Sequence, residues 1–377
     1  MKRFFVTIFS FMLIGFCNAQ KPKDADYLGI INSTSVSYIQ KKEAYEKYIS
    51  ALCLNNPENA TQLIPSALSF TLKQKDSIGY AVFVRLKGLA HNSIGNRDSA
   101  VYFYYNAIDI LERAKSDKEL AAAYNDVARQ NRKIKNLDRA LFYYDKAMEI
   151  YKRIKDDEGL GTIYNESGVV FEYKENYEEA LRRYNASLEI RKKMYDSVGM
   201  GYALSFIGGV YLLQKKYDLS EQYTIDALTI RKKMNDSFAL ALSYFDLASI
   251  YKEQKKDDLA KANFTTAFVY AKAIHYTDLQ SQSLLELSTI YSNSNNFKDA
   301  FFSYKEYTQL RDSLFGIEKT KQIEELSTKY ETEKKQLQIK EQEFAITKRN
   351  YWIAGIITTF LGISLLGFSY YRRYKLN

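Results

Sequence analysis

Small and apolar positions return along this chain at a fixed period. Ala100, Ala140, Ala180, Ser220, Ala260 and Ala300 form one column, and Ala107, Ala147, Ser187, Ala227, Ala267 and Tyr307 form another seven positions on. Between the two lie Tyr104, Tyr144, Tyr184, Thr224, Phe264 and Tyr304. Twelve positions before the first column stand Gly88, Ala128, Gly168, Gly208, Ala248 and Ser288, all small. Nine before it come His91, Asn131, Phe171, Tyr211, Tyr251 and Tyr291. Small residues let helix backbones approach closely, and each aromatic fills the space between successive pairs. A fixed period of this length marks a repeat array, in which no unit can bury its apolar face alone.

The period carries its own punctuation. Ser77, Asp117, Asp157, Ser197, Ser237 and Thr277 read as N-caps, able to satisfy the orphan N–H groups of a helix start. Asn96, Asn136, Asn176 and Asn296 mark a turn inside each unit, with Lys216 and Lys256 in two of them. Each unit is therefore predicted to be a helix, a short turn and a longer helix. Upstream, Ala60, Ile64 and Ala67 fall in phase while Tyr48 replaces the small residue, which predicts a degenerate unit acting as an N-terminal cap. The expected fold is an all-α solenoid of about seven helix pairs.

These columns resemble the tetratricopeptide repeat (TPR) family, most closely in Asn176-Tyr177-Glu178-Glu179-Ala180-Leu181-Arg182-Arg183-Tyr184-Asn185-Ala186. The ordinary TPR unit has about 34 residues and a proline near its end. Here that proline is missing and six residues are added, as in Leu188-Glu189-Ile190-Arg191-Lys192-Lys193-Met194. The resemblance covers roughly residues 77–315. It implies a superhelix whose first helices line a concave groove, and longer units of this kind occur in TPR proteins that read peptides or serve as sensors.

The two ends suggest a location. Lys2 and Arg3 precede an apolar run from Phe4 to Phe16, followed by Cys17-Asn18-Ala19, which reads as a signal peptide over 1–19. Residues 20–76 form the cap region and 77–315 the six clear repeats. From 316 to 350 the repeat period is lost and a charged connector helix follows. Its Ile323, Tyr330, Leu337 and Phe344 recur every seven residues, leaving open a solvated single helix and a weak parallel homodimer. Residues 351–371 carry no charge, are flanked by aromatics and precede Arg372, Arg373 and Lys375, the pattern of a transmembrane helix with a cytoplasmic tail at 372–377. The expected placement is single-pass in the inner membrane with periplasmic repeats. This order of parts looks like the input half of certain bacterial membrane sensor histidine kinases and helix-turn-helix regulators, without an output domain.

Composition narrows the chemistry. Only three prolines and sixteen glycines occur in 377 residues, against a turn-rich β architecture. The net charge is +9; without the two basic residues of the leader and the three of the tail it is +4. That is no nucleic-acid footprint. Cys53 is the only cysteine beyond the leader, so no internal disulfide is expected. The two histidines, His91 and His275, are far apart and form no zinc motif, and no phosphate loop or nucleophile elbow occurs. Gly159-Leu160-Gly161 and Gly199-Met200-Gly201 are lone triplets that packing explains. No cofactor, metal or enzymatic activity is expected.

What remains is binding of a peptide or protein segment in the groove that the resemblance implies. Candidate contacts on the first helices are Arg85, Asn125, Arg129, Asn165, Tyr202 and Phe245. Asn125 and Asn165 stand one repeat apart, and each can donate to and accept from a peptide backbone. Arg85 and Arg129 could meet a carboxylate, while Tyr202 and Phe245 would pack ligand side chains. The Lys-and-Asn pattern that many TPR domains use to clamp a terminal carboxylate is absent. The expected role is a non-catalytic binding scaffold at the membrane; a sensory input module of a truncated or split regulator is the alternative.

Overall fold

The structure is a computed structural model and describes residues 24–315. Among these residues are fifteen helices and no strand, an all-α repeat architecture. The chain divides after Lys256 into two compact units.

The first unit opens with α1 (Asp24–Asn32) and continues through five helix pairs. These are α2 (Tyr38–Asn55) with α3 (Pro57–Lys73), α4 (Ser77–Ser93) with α5 (Arg97–Ala114), α6 (Asp117–Lys133) with α7 (Leu137–Ile154), α8 (Asp157–Tyr173) with α9 (Tyr177–Lys193), and α10 (Ser197–Leu213) with α11 (Tyr217–Met234). α12 (Ser237–Glu253) ends it. Helices adjacent in the chain pack together, and each first helix also touches the first helix of the next pair. The second unit holds α13 (Asp257–Ala273), α14 (Thr277–Asn293) and α15 (Phe297–Phe315), with α14 packed on both of the others.

The helices start one residue earlier than the pattern predicts. Asp76, Ser116, Asp156, Asp196 and Asp236 are the N-caps of the first helices, and the expected column from Ser77 to Ser237 occupies the first helical position. Asp76, Asp156, Asp196 and Asp236 accept from the backbone N–H of Gly79, Gly159, Gly199 and Ala239, so the caps are made by aspartates that look like loop residues in the sequence. Asn96, Asn176 and Asn296, expected to mark the turn inside each unit, cap the second helices, each accepting an N–H three residues on. The second helices are longer by one residue at most: they have 17 or 18 residues against 17 in the first, from α4 to α11.

The helix ends share one device. A residue of left-handed backbone closes each turn at positions 75, 95, 115 and onward to 295, evenly spaced, and only Gly95 among them is a glycine. At the first of these, Lys75 N–H donates to the Leu72 carbonyl at 3.0 Å and Asp76 N–H to the Thr71 carbonyl at 3.1 Å. This is a Schellman closure. Its last residue is at once the N-cap of the next helix, which keeps the connection short.

The repeat columns form the core. In the first unit Ala100, Ala140, Ala180, Ala107, Ala147 and Ala227 are fully buried, with Tyr104, Tyr144 and Tyr184 beside them. A Cβ on Gly168 would lie 2.5 Å from the Tyr184 ring, and one on Gly88 2.8 Å from Tyr104, so the small column exists to admit the aromatic one. Upstream, Ala60, Ile64 and Ala67 are buried in the same phase. Tyr48 is buried too and stacks on Tyr27 at 6.0 Å. The glycine triplets are packing features: Gly199 and Gly161 give way to the Arg191 side chain, Gly159 to Tyr151. Cys53 is buried among apolar residues, and burial pushes its thiol up to about 12. In the second unit Ala260, Phe264, Ala267, Ala300 and Tyr304 repeat the pattern.

Among the described residues no helix is long and apolar enough to cross a membrane. The most apolar helix of the first unit, α10, has 17 residues, and its Ala203, Leu204, Phe206, Ile207, Val210 and Leu212 are buried within the repeat core. The single-pass inner-membrane placement read from sequence, with periplasmic repeats and a cytoplasmic tail, is corrected on that finding. The stretches behind that expectation, 1–19 and 351–371, lie outside the described residues, as does the 316–350 connector with its homodimer alternative.

Candidate functional site

The candidate residues all lie on first helices, and the structure joins two of them, Arg85 and Arg129, into a ladder of charge. Arg85 of α4 donates from Nη1 to Asp126 Oδ2 of α6 at 2.9 Å. The other oxygen of Asp126 receives Arg129 Nη1 at 3.1 Å. Arg129 then reaches α8, its Nε 3.1 Å from Glu166 Oε1. Glu166 Oε2 takes Arg132 Nη2 at 2.9 Å and the Tyr144 hydroxyl at 3.2 Å. Burial alone would raise the Glu166 carboxyl, but Arg129 and Arg132 outweigh it and hold it below the usual carboxylate range. Burial, with the like charges of Arg129 and Arg132, pushes Lys133 at the end of α6 down to about 8. Arg85 and Arg129, read from sequence as receivers of a ligand carboxylate, are thus held by carboxylates of the chain itself. Their acidic partners lie 41 and 37 positions further on, one period with a small offset. That spacing of opposite charges is a signal the sequence carries.

The asparagines behave differently. Asn125 Oδ1 and Asn165 Oδ1 are buried and accept no hydrogen bond, and one repeat further on the same is true of Ser205 Oγ. Asn165 and Ser205 are 1% and 2% exposed, so water does not readily satisfy them. The structure therefore aligns an orphaned polar atom in α6, α8 and α10 at one register position. The sequence pattern puts all three in one column but marks only the two asparagines as ligand contacts. Tyr202 of α10 lies with its ring 5.3 Å from the Arg231 guanidinium, and Phe245 of α12 is buried rather than presented as a surface anchor. Two carboxyls of first helices stand apart from the ladder. Burial pushes Glu172 and Asp246 each up to about 7. Among the described residues no group of three or more His, Cys, Asp or Glu side chains is arranged to hold a metal.

Residues 119–193 match the family model of the tetratricopeptide repeat. No curated protein matches the sequence. Solved structures with a similar fold include aspartyl phosphate phosphatase F from Bacillus subtilis, with a TM-score of 0.56 at 15% identity over 74% of this chain and 74% of that one. A Rap protein complexed with competence and sporulation factor gives 0.54 at 13% identity, over 72% and 76%. NprR in complex with its cognate peptide NprX gives 0.51 at 14%, over 81% and 90%. At these identities the likeness is one of fold. Together with the match over 119–193 it supports a TPR-like repeat fold; it does not bear on the expected likeness to sensor-kinase input regions.

Proposed function

We propose that this chain is a non-catalytic repeat protein that binds an extended peptide segment along the first helices α6, α8 and α10. The observation that carries the reading is the column of Asn125, Asn165 and Ser205. Buried polar atoms are nearly always hydrogen-bonded, and leaving one unpaired costs about 1–3 kcal/mol. Three such atoms in successive repeats at one position fit a ligand whose own backbone supplies the partners. An amide oxygen left unpartnered can receive a peptide N–H, and since Asn165 is 1% exposed the arriving ligand displaces the side chains that cover it. Arg85 and Arg129 act one step back in this reading: their ion pairs fix neighbouring first helices in register beneath the ligand. Tyr202 borders the column and packs against a ligand side chain; Phe245, being buried, supports α12 from within. That NprR, a protein of similar fold, is solved in complex with its cognate peptide supports the reading.

The test is selection of binders from a random synthetic heptapeptide library on the full chain, then titration of the selected peptides against Asn125→Ala with Asn165→Ala. Two lost hydrogen bonds at about 0.5–1.5 kcal/mol each predict a 10- to 100-fold weakening, with thermal unfolding unchanged. Equal affinities for both forms would place the ligand elsewhere.

A further inference from the structure

Asp246 is a carboxylate that has lost its cations. It stands two full periods after Glu166 and three after Asp126, at the same position of its first helix. Asp126 and Glu166 are each held by two guanidinium groups. Asp246 Oδ2 is buried and accepts no hydrogen bond.

The register explains why. Arg129 and Arg132 serve Glu166 from 37 and 34 positions upstream, and the equivalent positions before Asp246 are Gly209 and Leu212. Tyr144, which also donates to Glu166, is replaced by Thr224, whose hydroxyl is committed to the Ser220 carbonyl at 2.8 Å. Arg85, which serves Asp126 from the preceding first helix, is replaced by Ser205, whose own Oγ is buried and unpartnered. Arg129, three residues after Asp126 on its own helix, has its counterpart in Ser249, whose hydroxyl donates to the Phe245 carbonyl at 2.9 Å. The cation whose charge reaches Asp246 is Arg231. It spends its N–H groups on Ser243 Oγ at 2.6 Å, the Gly201 carbonyl at 3.2 Å and the Ala239 carbonyl at 3.4 Å. Every guanidinium of the earlier repeats is absent here, Arg231 is engaged elsewhere, and the Ser205 hydroxyl alone is left without a partner.

Gly209 also leaves room where such a side chain would begin. A Cβ added to Gly209 would meet no atom within 4 Å, whereas the same position in α6 carries the Arg129 side chain that reaches the next helix. We infer that the Asp246 carboxylate and the Ser205 hydroxyl, behind the opening at Gly209, receive a basic side chain of the bound peptide, its cationic head group standing where an Arg129-type guanidinium stands two repeats earlier. The inference rests on the peptide reading above and adds the chemical class of one ligand residue. An unpaired carboxyl shielded from water is raised toward neutrality, and Asp246 is so raised by burial, with Arg231 only partly opposing it. A cation arriving there would restore its charge and hold it in a charge-assisted bond.

Two measurements on the full chain test this. Gly209→Arg should supply the missing cation from within and raise the unfolding temperature; a lowered or unchanged temperature would overturn the register argument whatever the ligand proves to be. In a library of N-acetylated random heptapeptides, wild-type protein should enrich arginine or lysine at one position. Asp246→Asn should abolish that enrichment and weaken the selected peptides about 30-fold, as for one partner lost from a buried charge pair. Peptides that bind without a basic preference would overturn this inference and leave the groove reading standing. Preference for a free amino terminus over the acetylated library, with no basic residue selected, would assign the carboxylate to the chain end and overturn the side-chain proposal. No binder at all would overturn both readings.

Discussion

Arg129 and Glu166, one repeat apart in the chain, meet at 3.1 Å across the contact between α6 and α8. Both stand on first helices, so this ion pair ties successive repeats at a place separate from the alanine columns of the second helices. Both side chains are largely withdrawn from water, at 13% and 1% exposure. Burial removes hydration from each charge, and only the close approach of the partners offsets that loss.

Removing one partner should therefore be severe. Glu166→Gln leaves Arg129 and Arg132 facing a neutral amide in a dry site, with an expected loss of about 3–5 kcal/mol in urea unfolding at neutral pH. The wild-type carboxyl is held below the ordinary range in the folded chain, so its contribution is present above the unfolded pKa and is lost as pH falls through the folded one. The variant should lack that part of the acid-induced decline. A loss below about 1 kcal/mol would mean that the guanidinium groups find water.

The fit of Gly168 to Tyr184 makes a second prediction. A side chain at 168 must displace the Tyr184 ring, which is fully buried and hydrogen-bonded through its hydroxyl to Glu172. Gly168→Leu should cost about 1–3 kcal/mol or more as overpacking, read as a fall in the thermal midpoint. Gly209→Leu, at a position with open space, is the control and should cost far less.

The core was legible in the sequence because packing repeats with the period: the closest approaches between helices fall at positions that stay small or aromatic, and Ala140, Tyr144 and Gly168 show it directly. The caps were displaced by one residue, since Asp156 and Asp157 are both good caps by type and only the hydrogen bond to Gly159 distinguishes them. The site was legible in part. Asn125 and Asn165 stand out as the same amide residue at one register position of successive first helices. That Arg85 and Arg129 are engaged depends on contacts between first helices one repeat apart, which single-column reading passes over. Asp246 is visible only once the pairing offsets of Asp126 and Glu166 are known.

Glu172 should impose a pH dependence of the opposite sense to that of Glu166. Burial raises it from its ordinary 4.5 to about 7, against the lowering effects of the Tyr184 hydroxyl and Arg132. Between these values the folded chain keeps a proton that the unfolded chain releases, so stability falls as pH rises through that window. Glu172→Gln keeps an acceptor for Tyr184 and has no proton to lose. Urea midpoints at pH 5 and pH 8 should differ less for the variant than for the wild type; an equal difference would show that Glu172 is ionised in the fold.

Tyr195 offers a gain. Its φ is 54° and its side chain is 90% exposed, so the backbone strain is not repaid by packing. Tyr195→Gly should raise stability by about 0.5–1 kcal/mol, the left-handed penalty less the added chain entropy. Gly95→Ala, at φ 85° with nothing near the added methyl, should lower it. Melting both variants beside the wild type checks the pair.

The even spacing of the left-handed residues, from position 75 to position 295, has a consequence for how such a chain can change in length. Any two joints one full repeat apart present the same backbone geometry and lead into a helix of the same kind. Recombination between such joints would remove or duplicate a whole unit without creating a new turn. Neighbouring joints, half a repeat apart, match equally well in backbone, yet fusing them would bring the ion-pair ladder of a first helix onto a face built for the alanine columns of a second. The joints thus permit growth by either step, and the side chains license only the larger one.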